Sequence, residues 1–302
     1  MEVVILGIIT GFSAAVSQSL SYLFSKRFIS NSGNAYQLLA VSHIIMGIFA
    51  ALLLGILLLF KPMPPLMSFG KALILSNAFY LFAQCAFFLA LKSSDASRLA
   101  PLLGLKILFL AGIGIVFLNN SFSGLQWCGI LLCLGGAVMS NWSGGSIPLK
   151  SVMLILTACC SYSFSDTYIK ILINCLGYES VFFGALMAGA LCYSFAGLCA
   201  VPMLFIVPGT ALRQFKPAMP YSICWFAAML LLFSCFGLIG PVFGNIIQSS
   251  RGIISVIIGA IVAMYGFSTI ETQIPAGVLS RRIIAAVLIS AAVILFILGG
   301  KH

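Results

Sequence analysis

Three charged residues stand inside long apolar stretches of this sequence: Lys106, Asp166 and Arg251. A charged side chain at the centre of a bilayer helix costs roughly 2.5–3.5 kcal/mol on insertion scales, so its presence there indicates a specific role. An arginine binds a carboxylate through two parallel hydrogen bonds, and a lysine supplies a point charge. We therefore predict that Lys106 and Arg251 line one cavity and bind an anionic group of a substrate.

Each of these residues also has a purely structural interpretation. Lys106 and Arg251 could extend towards a membrane interface, pair with Asp166 or bond to helix carbonyls. Asp166 lies four residues before Lys170, a spacing that favours an ion pair on one helix face. The functional alternative for Asp166 is contact with a coupled proton or with a substrate amine. Two cations within about 10 Å would repel by roughly 1.7 kcal/mol at an effective dielectric near 20, and a bound anion would relieve that repulsion.

Uncharged polar side chains recur at helical spacing in three of the apolar stretches. They are Gln18 and Tyr22, then Asn77, Tyr80 and Gln84, then Asn245 and Gln248. The last two precede Arg251 at three-residue intervals, so all three side chains share one helix face. Polar groups on a buried stripe indicate either an aqueous cavity or hydrogen bonds between helices. We predict that these residues, together with Asp166, contribute to the substrate site.

The elements that must position these side chains follow from the composition. Hydrophobic residues make up 62% of the chain and charged residues only 7%, with a mean hydropathy of +1.20. A soluble domain is about half apolar and about a quarter charged, so lipid must be the solvent of this chain. Lipid admits only helices or closed barrels, and continuous apolar runs favour helices. The net charge of +10 is explained by cations between the runs, where they anchor helix ends at lipid headgroups.

The apolar runs predict an all-α integral membrane protein with ten transmembrane helices. The predicted spans are 3–24, 37–60, 72–91, 98–118, 123–142, 149–170, 180–206, 220–240, 244–266 and 280–299. Each has close to the roughly 20 residues that cross a bilayer. The separating segments are too short to hold a soluble domain, so we predict that the whole chain forms one membrane domain.

Matching residues in the two halves of the chain indicate an internal repeat. Ser13, Ser17, Ser21 and Lys26 align with Thr157, Ser161, Ser165 and Lys170 at a constant offset of 144 residues. Lys106 aligns with Arg251 at an offset of 145. Because five helices per half is an odd number, the halves must have opposite orientations. We predict two inverted five-helix repeats, residues 1–143 and 144–302, with the binding site at their pseudo-two-fold axis.

Several short segments resemble the EamA type of the drug/metabolite transporter superfamily. They are Phe87-Phe88-Leu89-Ala90-Leu91-Lys92, Ala100-Pro101-Leu102, Gly124-Leu125-Gln126-Trp127-Cys128-Gly129, Leu134-Gly135-Gly136 and Arg281-Arg282-Ile283-Ile284. They are similar to parts of the third, fourth, fifth and tenth helices of that family. The resemblance implies ten helices in two inverted repeats, a central substrate cavity and secondary transport. Relatives carry amino acids, nucleotide sugars, cofactors and drugs.

Two positions depart from the pattern of the family. The family often has a glutamate where Lys106 stands, and a Gly-Glu pair before the fifth helix where this chain has Asn119-Asn120. Two indications disagree on which side of the membrane the termini lie. The distribution of Lys and Arg over the loops favours both termini outside, whereas the family is usually drawn with both termini in the cytoplasm.

These features together predict a secondary transporter of a small anionic or zwitterionic metabolite, such as an amino acid or a phosphorylated or carboxylated compound. The sequence has no P-loop for ATP, so coupling would use a gradient or exchange. It also has no GxSxG or HExxH motif, so we predict no enzymatic activity, no cofactor and no metal. The alternatives are an exporter of cationic or apolar drugs, or a non-transporting membrane receptor or assembly subunit.

The predicted partners follow from the same features. They are a small-molecule substrate and membrane lipid, without nucleic acid, and the protein is expected as a monomer or a homodimer. The predicted location is a multi-pass position in a membrane, which in a bacterium would be the inner membrane.

Overall fold

A computed structural model describes residues 2–91, 102–141, 148–251, 254, 257–258 and 276–300. Within these residues the chain is helical, with ten helices of two turns or more. They are α1 (Glu2–Asn31), α2 (Ala35–Phe60), α3 (Leu66–Leu91), α4 (Lys106–Leu118), α5 (Gly124–Asn141), α6 (Leu149–Cys175), α7 (Val181–Ala200), α8 (Phe215–Ile239), α9 (Pro241–Gln248) and α10 (Ala276–Gly299). The prediction of an all-helical protein is confirmed, and the described residues contain as many helices as the ten transmembrane helices predicted.

Six helices of the described chain are long and apolar enough to cross a membrane. Three further helices contain the apolar segments Lys106–Phe117, Gly124–Met139 and Val287–Gly299. Two short helical segments, Met203–Ile206 and Leu212–Gln214, lie between α7 and α8. Parts of three predicted spans lie outside the described residues. These parts are 98–101 of the fourth span, 142 of the fifth, and 252–253, 255–256 and 259–266 of the ninth.

The four most extensive helix contacts each join one helix of the first half to one helix of the second. α1 packs on α8, α3 on α6, α2 on α7, and α5 on α10. The α3–α6 contact includes hydrogen bonds, because Ser161 Oγ donates to Phe79 O at 2.8 Å and Ser165 Oγ donates to Ser76 O at 2.8 Å. Small hydroxyl side chains on α6 therefore act as packing residues, as they commonly do between membrane helices.

The crossing of α2 and α7 depends on two glycines that face each other. A Cβ atom added at Gly47 would lie 2.7 Å from the Gly197 Cα atom, and one added at Gly197 would lie 2.6 Å from the Gly47 Cα atom. Both obstacles are backbone atoms, so they cannot rotate out of the way. The two helices can approach this closely only because neither residue has a side chain.

Gly47→Ala is therefore expected to destabilise the protein, because α2 and α7 must move apart to admit the methyl group. Overpacking of this kind costs typically about 1–3 kcal/mol, which thermal unfolding in detergent would detect as a lower midpoint. Gly55→Ala on the same helix is the matched control, since a Cβ at Gly55 meets nothing within 4 Å. Equal unfolding temperatures for the two variants would show that the crossing tolerates separation.

A glycine and a proline set the sharp turn between α8 and α9. Gly240, with φ of 82°, ends α8 in a backbone conformation that favours glycine. Pro241 then begins α9, where its missing N–H leaves no helical hydrogen bond unmade. Every residue of α9 is buried, so this turn delivers Asn245 and Gln248 to the interior.

Two helices are interrupted at matching positions of the two halves. Residues 104–105 form a turn directly before Lys106, and residues 249–250 form a turn directly before Arg251, which is again helical. Both turns use i→i+3 hydrogen bonds, from Ile107 N to Gly104 O and from Ser250 N to Ile247 O. The predicted fourth span, 98–118, is therefore not one continuous helix at Lys106. Lys106 is the first residue of α4, at a break of a kind that often marks a functional hinge.

Candidate functional site

Three of the predicted site residues, from three helices, form one buried ionic cluster. Lys106 Nζ of α4 lies 2.6 Å from Asp166 Oδ2 of α6. Asn245 Nδ2 of α9 donates to the same carboxylate oxygen at 2.8 Å. The side chains of Lys106 and Asp166 are 22% and 11% exposed. Water screens a pair this buried only weakly, so the two charges attract each other strongly. The positive charge of Lys106 and the negative charge of Asp166 cancel, so the cluster has no net charge.

The predicted ion pair between Asp166 and Lys170 is wrong. Asp166 pairs with Lys106, whereas Lys170 Nζ donates to Gly237 O near the end of α8. The carbonyl groups in the last turn of a helix have no helical partner and attract a cation. The i,i+4 spacing brings Asp166 and Lys170 to one side of α6, but each finds a partner on a different neighbouring helix.

A second group of predicted site residues forms what we term the amide cluster: Gln18 of α1, Gln248 of α9 and Arg251. The oxygen Oε1 of Gln18 accepts hydrogen bonds from Gln248 Nε2 and, at 3.2 Å, from Arg251 Nη1. Gln18 and Gln248 are each only 3% exposed, and Arg251 is half-buried. Within the described residues no carboxylate lies within ion-pair distance of Arg251. In the described part of the site, the guanidinium contacts the neutral amide of Gln18 and no carboxylate.

The same hydrogen bond occurs in both halves, next to each of the two cations. Ser163 Oγ of α6 donates to Lys106 O at 3.1 Å, and Ser19 Oγ of α1 donates to Arg251 O at 3.0 Å. The serines are 144 residues apart and the cations 145. In each case, a serine on the first helix of one half holds the broken helix of the other half.

Of the three polar residues predicted on α3, two take part in a network that borders the ionic cluster. Tyr80 OH accepts from Gln84 Nε2 at 2.9 Å and lies 3.1 Å from His43 Nε2. The Tyr80 ring lies 6.2 Å, between centroids, from the ring of Tyr162. The third, Asn77, is buried and donates to Leu73 O of its own helix at 3.0 Å. No described contact joins Asn77 to either cluster.

His43 has a fixed structural role on α2. Its Nδ1 lies 2.9 Å from Leu39 O, and a carbonyl can only accept, so this nitrogen carries a hydrogen. In the neutral ring Nε2 then accepts from Tyr80 OH. The carbonyl of Leu39 therefore fixes the donor-to-acceptor direction of these hydrogen bonds, which runs from Gln84 to Tyr80 and from Tyr80 to His43.

Sequence reasoning missed a set of aromatic residues around the site. Tyr162 lies under the ionic cluster, with Lys106 Nζ 5.7 Å from its ring centroid, which is cation–π distance. Its position, 144 residues after Gln18, is the signal that would have found it, because Tyr162 contacts Lys106 as Gln18 contacts Arg251.

The predicted site residue Tyr22 belongs to a group of four aromatic side chains, which we call the aromatic wall. Its ring meets Trp225 edge-on at 6.2 Å, and Tyr221 stacks on Trp225 at 5.7 Å. The indole nitrogen of Trp225 donates to Tyr193 OH at 3.3 Å. These four residues come from α1, α7 and α8, so no local spacing in the sequence reveals the wall.

A groove with a volume of about 430 Å³ lies elsewhere on the molecule, along α5 and α10. It is lined by Leu131, Leu134, Gly135, Val138, Met139 and Arg281. It shares no residue with the ionic cluster, the amide cluster or the aromatic wall, and its lining is almost wholly apolar, as expected of a surface that faces lipid.

Apolar helices of membrane length that enclose buried charged and polar side chains define a multi-pass integral membrane protein. Residues 5–142, which are a little under half of the chain, match the EamA-like transporter family. The predicted resemblance to that family and the predicted multi-pass membrane location are thereby confirmed.

Two individual proteins are similar to this chain. An uncharacterized transporter in the cobO 3′ region of Sinorhizobium sp is 39% identical over 54 residues, which are 18% of this chain and 38% of that protein. The match thus spans well under half of that relative. A protein crystal structure superposes with a TM-score of 0.71 and covers 98% of this chain and 99% of its own. With 15% sequence identity, that likeness is one of fold.

Proposed function

We propose that this protein is a secondary transporter, which moves a small anionic or zwitterionic metabolite through a cavity between α1–α5 and α6–α10. The observation that carries the proposal is the environment of Arg251. Its guanidinium is half-buried among membrane helices and donates to a neutral amide, Gln18. A cation in this setting is costly unless it binds an anion, and a guanidinium matches a carboxylate or phosphate in geometry.

The arrangement of the helices supports two inverted repeats, residues 1–143 and 144–302. In two inverted repeats of five helices, α1 corresponds to α6 and α3 corresponds to α8. The α1–α8 contact then corresponds to the α6–α3 contact, and both are among the most extensive in the described structure. The matching breaks before Lys106 and Arg251, and the matching bonds from Ser163 and Ser19, follow the same exchange. Alternating access in such proteins moves one repeat against the other around a fixed site.

The breaks in the fourth and ninth helices support a site at this level. Irregular backbone inside a membrane is tolerated where it is buried in protein or lines a cavity. In transporters with inverted repeats, interrupted helices of this kind present backbone groups to the substrate. Both cations directly follow such a break, so substrate and backbone meet at the same place.

The charges around the cavity favour an anionic group over a cationic one. Asp166 neutralises Lys106, so within the described site Arg251 contributes the unbalanced charge, which is positive. The ionic cluster then has a second possible role, because a proton or a substrate amine that reaches Asp166 would release Lys106. This exchange would couple transport to a second ion.

The export of cationic or apolar drugs is the second candidate function, and the aromatic wall is the observation that favours it. Tyr22, Trp225, Tyr221 and Tyr193 form a surface of the kind that attracts organic cations. This candidate leaves the unbalanced charge of Arg251 without a role, so we place it second.

Counterflow in proteoliposomes tests the proposal. Vesicles preloaded with one of a panel of unlabelled carboxylates, phosphates or amines are diluted into a labelled trace of the same compound. We expect transient accumulation of the label for at least one carboxylate or phosphate. Accumulation of organic cations alone would favour drug export, and no accumulation across the whole panel would favour a receptor or assembly subunit.

A further inference from the structure

At the break of the ninth helix, two buried side-chain atoms have no hydrogen-bond partner among the described residues. One is Oε1 of Gln248, in a side chain that is 3% exposed, and the other is Oγ of Ser250. A buried acceptor left unpaired is costly, and native proteins seldom leave one without a reason. Both atoms are in the segment that leads into Arg251, so the orphaned groups and the unbalanced charge occur together.

Arg251 determines which way the amide of Gln248 points. A guanidinium only donates, so the atom of Gln18 that it contacts must be the amide oxygen. Gln248 contacts that same oxygen and must therefore present its NH₂ group to it. Rotating either amide would bring two donors or two acceptors together. The oxygen of Gln248 is consequently forced away from Gln18, as a free acceptor.

We propose that the amide cluster is a subsite for a carboxylate that carries a hydrogen-bond donor, an amino or hydroxyl group, on the adjacent carbon. Arg251 binds the carboxylate, and Oε1 of Gln248 accepts from the donor. Both side chains contact one atom, Oε1 of Gln18, so a single small head group can reach both. The proposal rests on the proposed function, since it specifies which anionic group the cavity selects.

Selectivity in this subsite would come mainly from the penalty for the wrong ligand. A carboxylate without the donor would still bind Arg251. It would, however, exclude water from Gln248 Oε1 and leave this acceptor without a hydrogen bond, which lowers the affinity. Sites built to hydrogen-bond a substrate group reject analogues that lack that group for this reason. Gln248 is therefore a specificity-determining residue, and Arg251 is the residue that orients it through Gln18.

The test compares acids of one carbon skeleton that differ only at the carbon next to the carboxylate. The probes are alanine, lactate, pyruvate and propionate, and the corresponding series built on leucine for a larger side chain. Their dissociation constants are measured on the purified full-length protein in detergent. We expect the amino or hydroxy member to bind about tenfold more tightly than the keto and unsubstituted members.

Gln248→Met supplies the second arm of the test, since it keeps the length of the side chain and removes the acceptor. We expect the preference for the donor to fall to a ratio near one, while the unsubstituted acid keeps its affinity through Arg251. An unchanged preference in this variant would overturn the assignment to Gln248. If the variant does not fold, the wild-type series still decides.

Failure of this inference differs visibly from failure of the proposed function. If all members of a series bind the wild type equally, water satisfies Gln248 and the donor-reading subsite is wrong, although anion binding stands. If the carboxylates and phosphates of the transport panel all fail to bind, the proposed function itself is wrong.

Discussion

Asp166→Asn is expected to destabilise the folded protein by about 3 kcal/mol, because it leaves the Lys106 cation buried without its counter-charge. Breaking a buried ion pair from one side costs about 3–5 kcal/mol. The Lys106 side chain is 22% exposed, so partial hydration places the expected loss at the lower end of that range. Thermal or denaturant unfolding of the purified protein measures it.

Removing both charges should restore most of that loss. In the double variant Lys106→Gln with Asp166→Asn no charge remains uncompensated, so we expect it to be more stable than Asp166→Asn alone. Strong non-additivity of this kind is the signature of two groups in direct contact. The double variant should nevertheless lose any coupling that depends on the exchange of Asp166 between Lys106 and a second ion.

The exposed pair of Lys61 and Glu179 is the matched control. Their charged atoms lie 3.9 Å apart, with side chains 43% and 98% exposed. Exposed pairs of this type contribute little, so Lys61→Gln should leave the unfolding midpoint unchanged. If Asp166→Asn proves as mild as Lys61→Gln, the ionic cluster is solvated and is not a structural centre.

Arg251→Gln is expected to abolish most transport while leaving the protein folded. A hydrogen bond to a charged group contributes about 1.5–3 kcal/mol, so its loss should lower substrate affinity by about 10- to 100-fold. Folding should survive, because the guanidinium has no ion pair to lose within the described structure and glutamine can still donate to Gln18. Initial uptake rates and the unfolding midpoint are measured on the same preparation.

The opposite responses of Arg251 and Asp166 separate a binding role from a structural one. Arg213, which is exposed before α8, is the matched control, and Arg213→Gln should transport at the wild-type rate. Uptake by Arg251→Gln within about twofold of that control would place the anion elsewhere. A folding defect as large as that of Asp166→Asn would make Arg251 a structural residue.

Much of the fold follows from the sequence, because composition and periodicity are enough to specify membrane helices. The alignment of Lys106 with Arg251 also agrees with the structure, since both residues lie directly after a helix break. The breaks themselves were not predictable. Neither contains a proline, and Ser163 and Ser19 support them from distant helices.

The partners of the charged side chains show where local reasoning ends. Asp166 and Lys170 have ideal helical spacing for an ion pair, yet Asp166 bonds to Lys106 and Asn245, both more than 55 residues away in sequence. Such contacts depend on which helices become neighbours, and a single sequence does not contain that information. The resemblance to the family illustrates the same limit. The family often has a glutamate at the position of Lys106, and here the carboxylate beside that position comes from Asp166 on another helix.

A ligand-induced thermal shift most directly tests the central claim, that Arg251 gives the cavity an anion site. Wild type and Arg251→Gln are screened in detergent against matched carboxylates, phosphates and amines. The account predicts that a carboxylate or phosphate raises the unfolding temperature of the wild type and leaves the variant unchanged. Stabilisation by organic cations alone, or equal stabilisation of both proteins by the same anion, would contradict it.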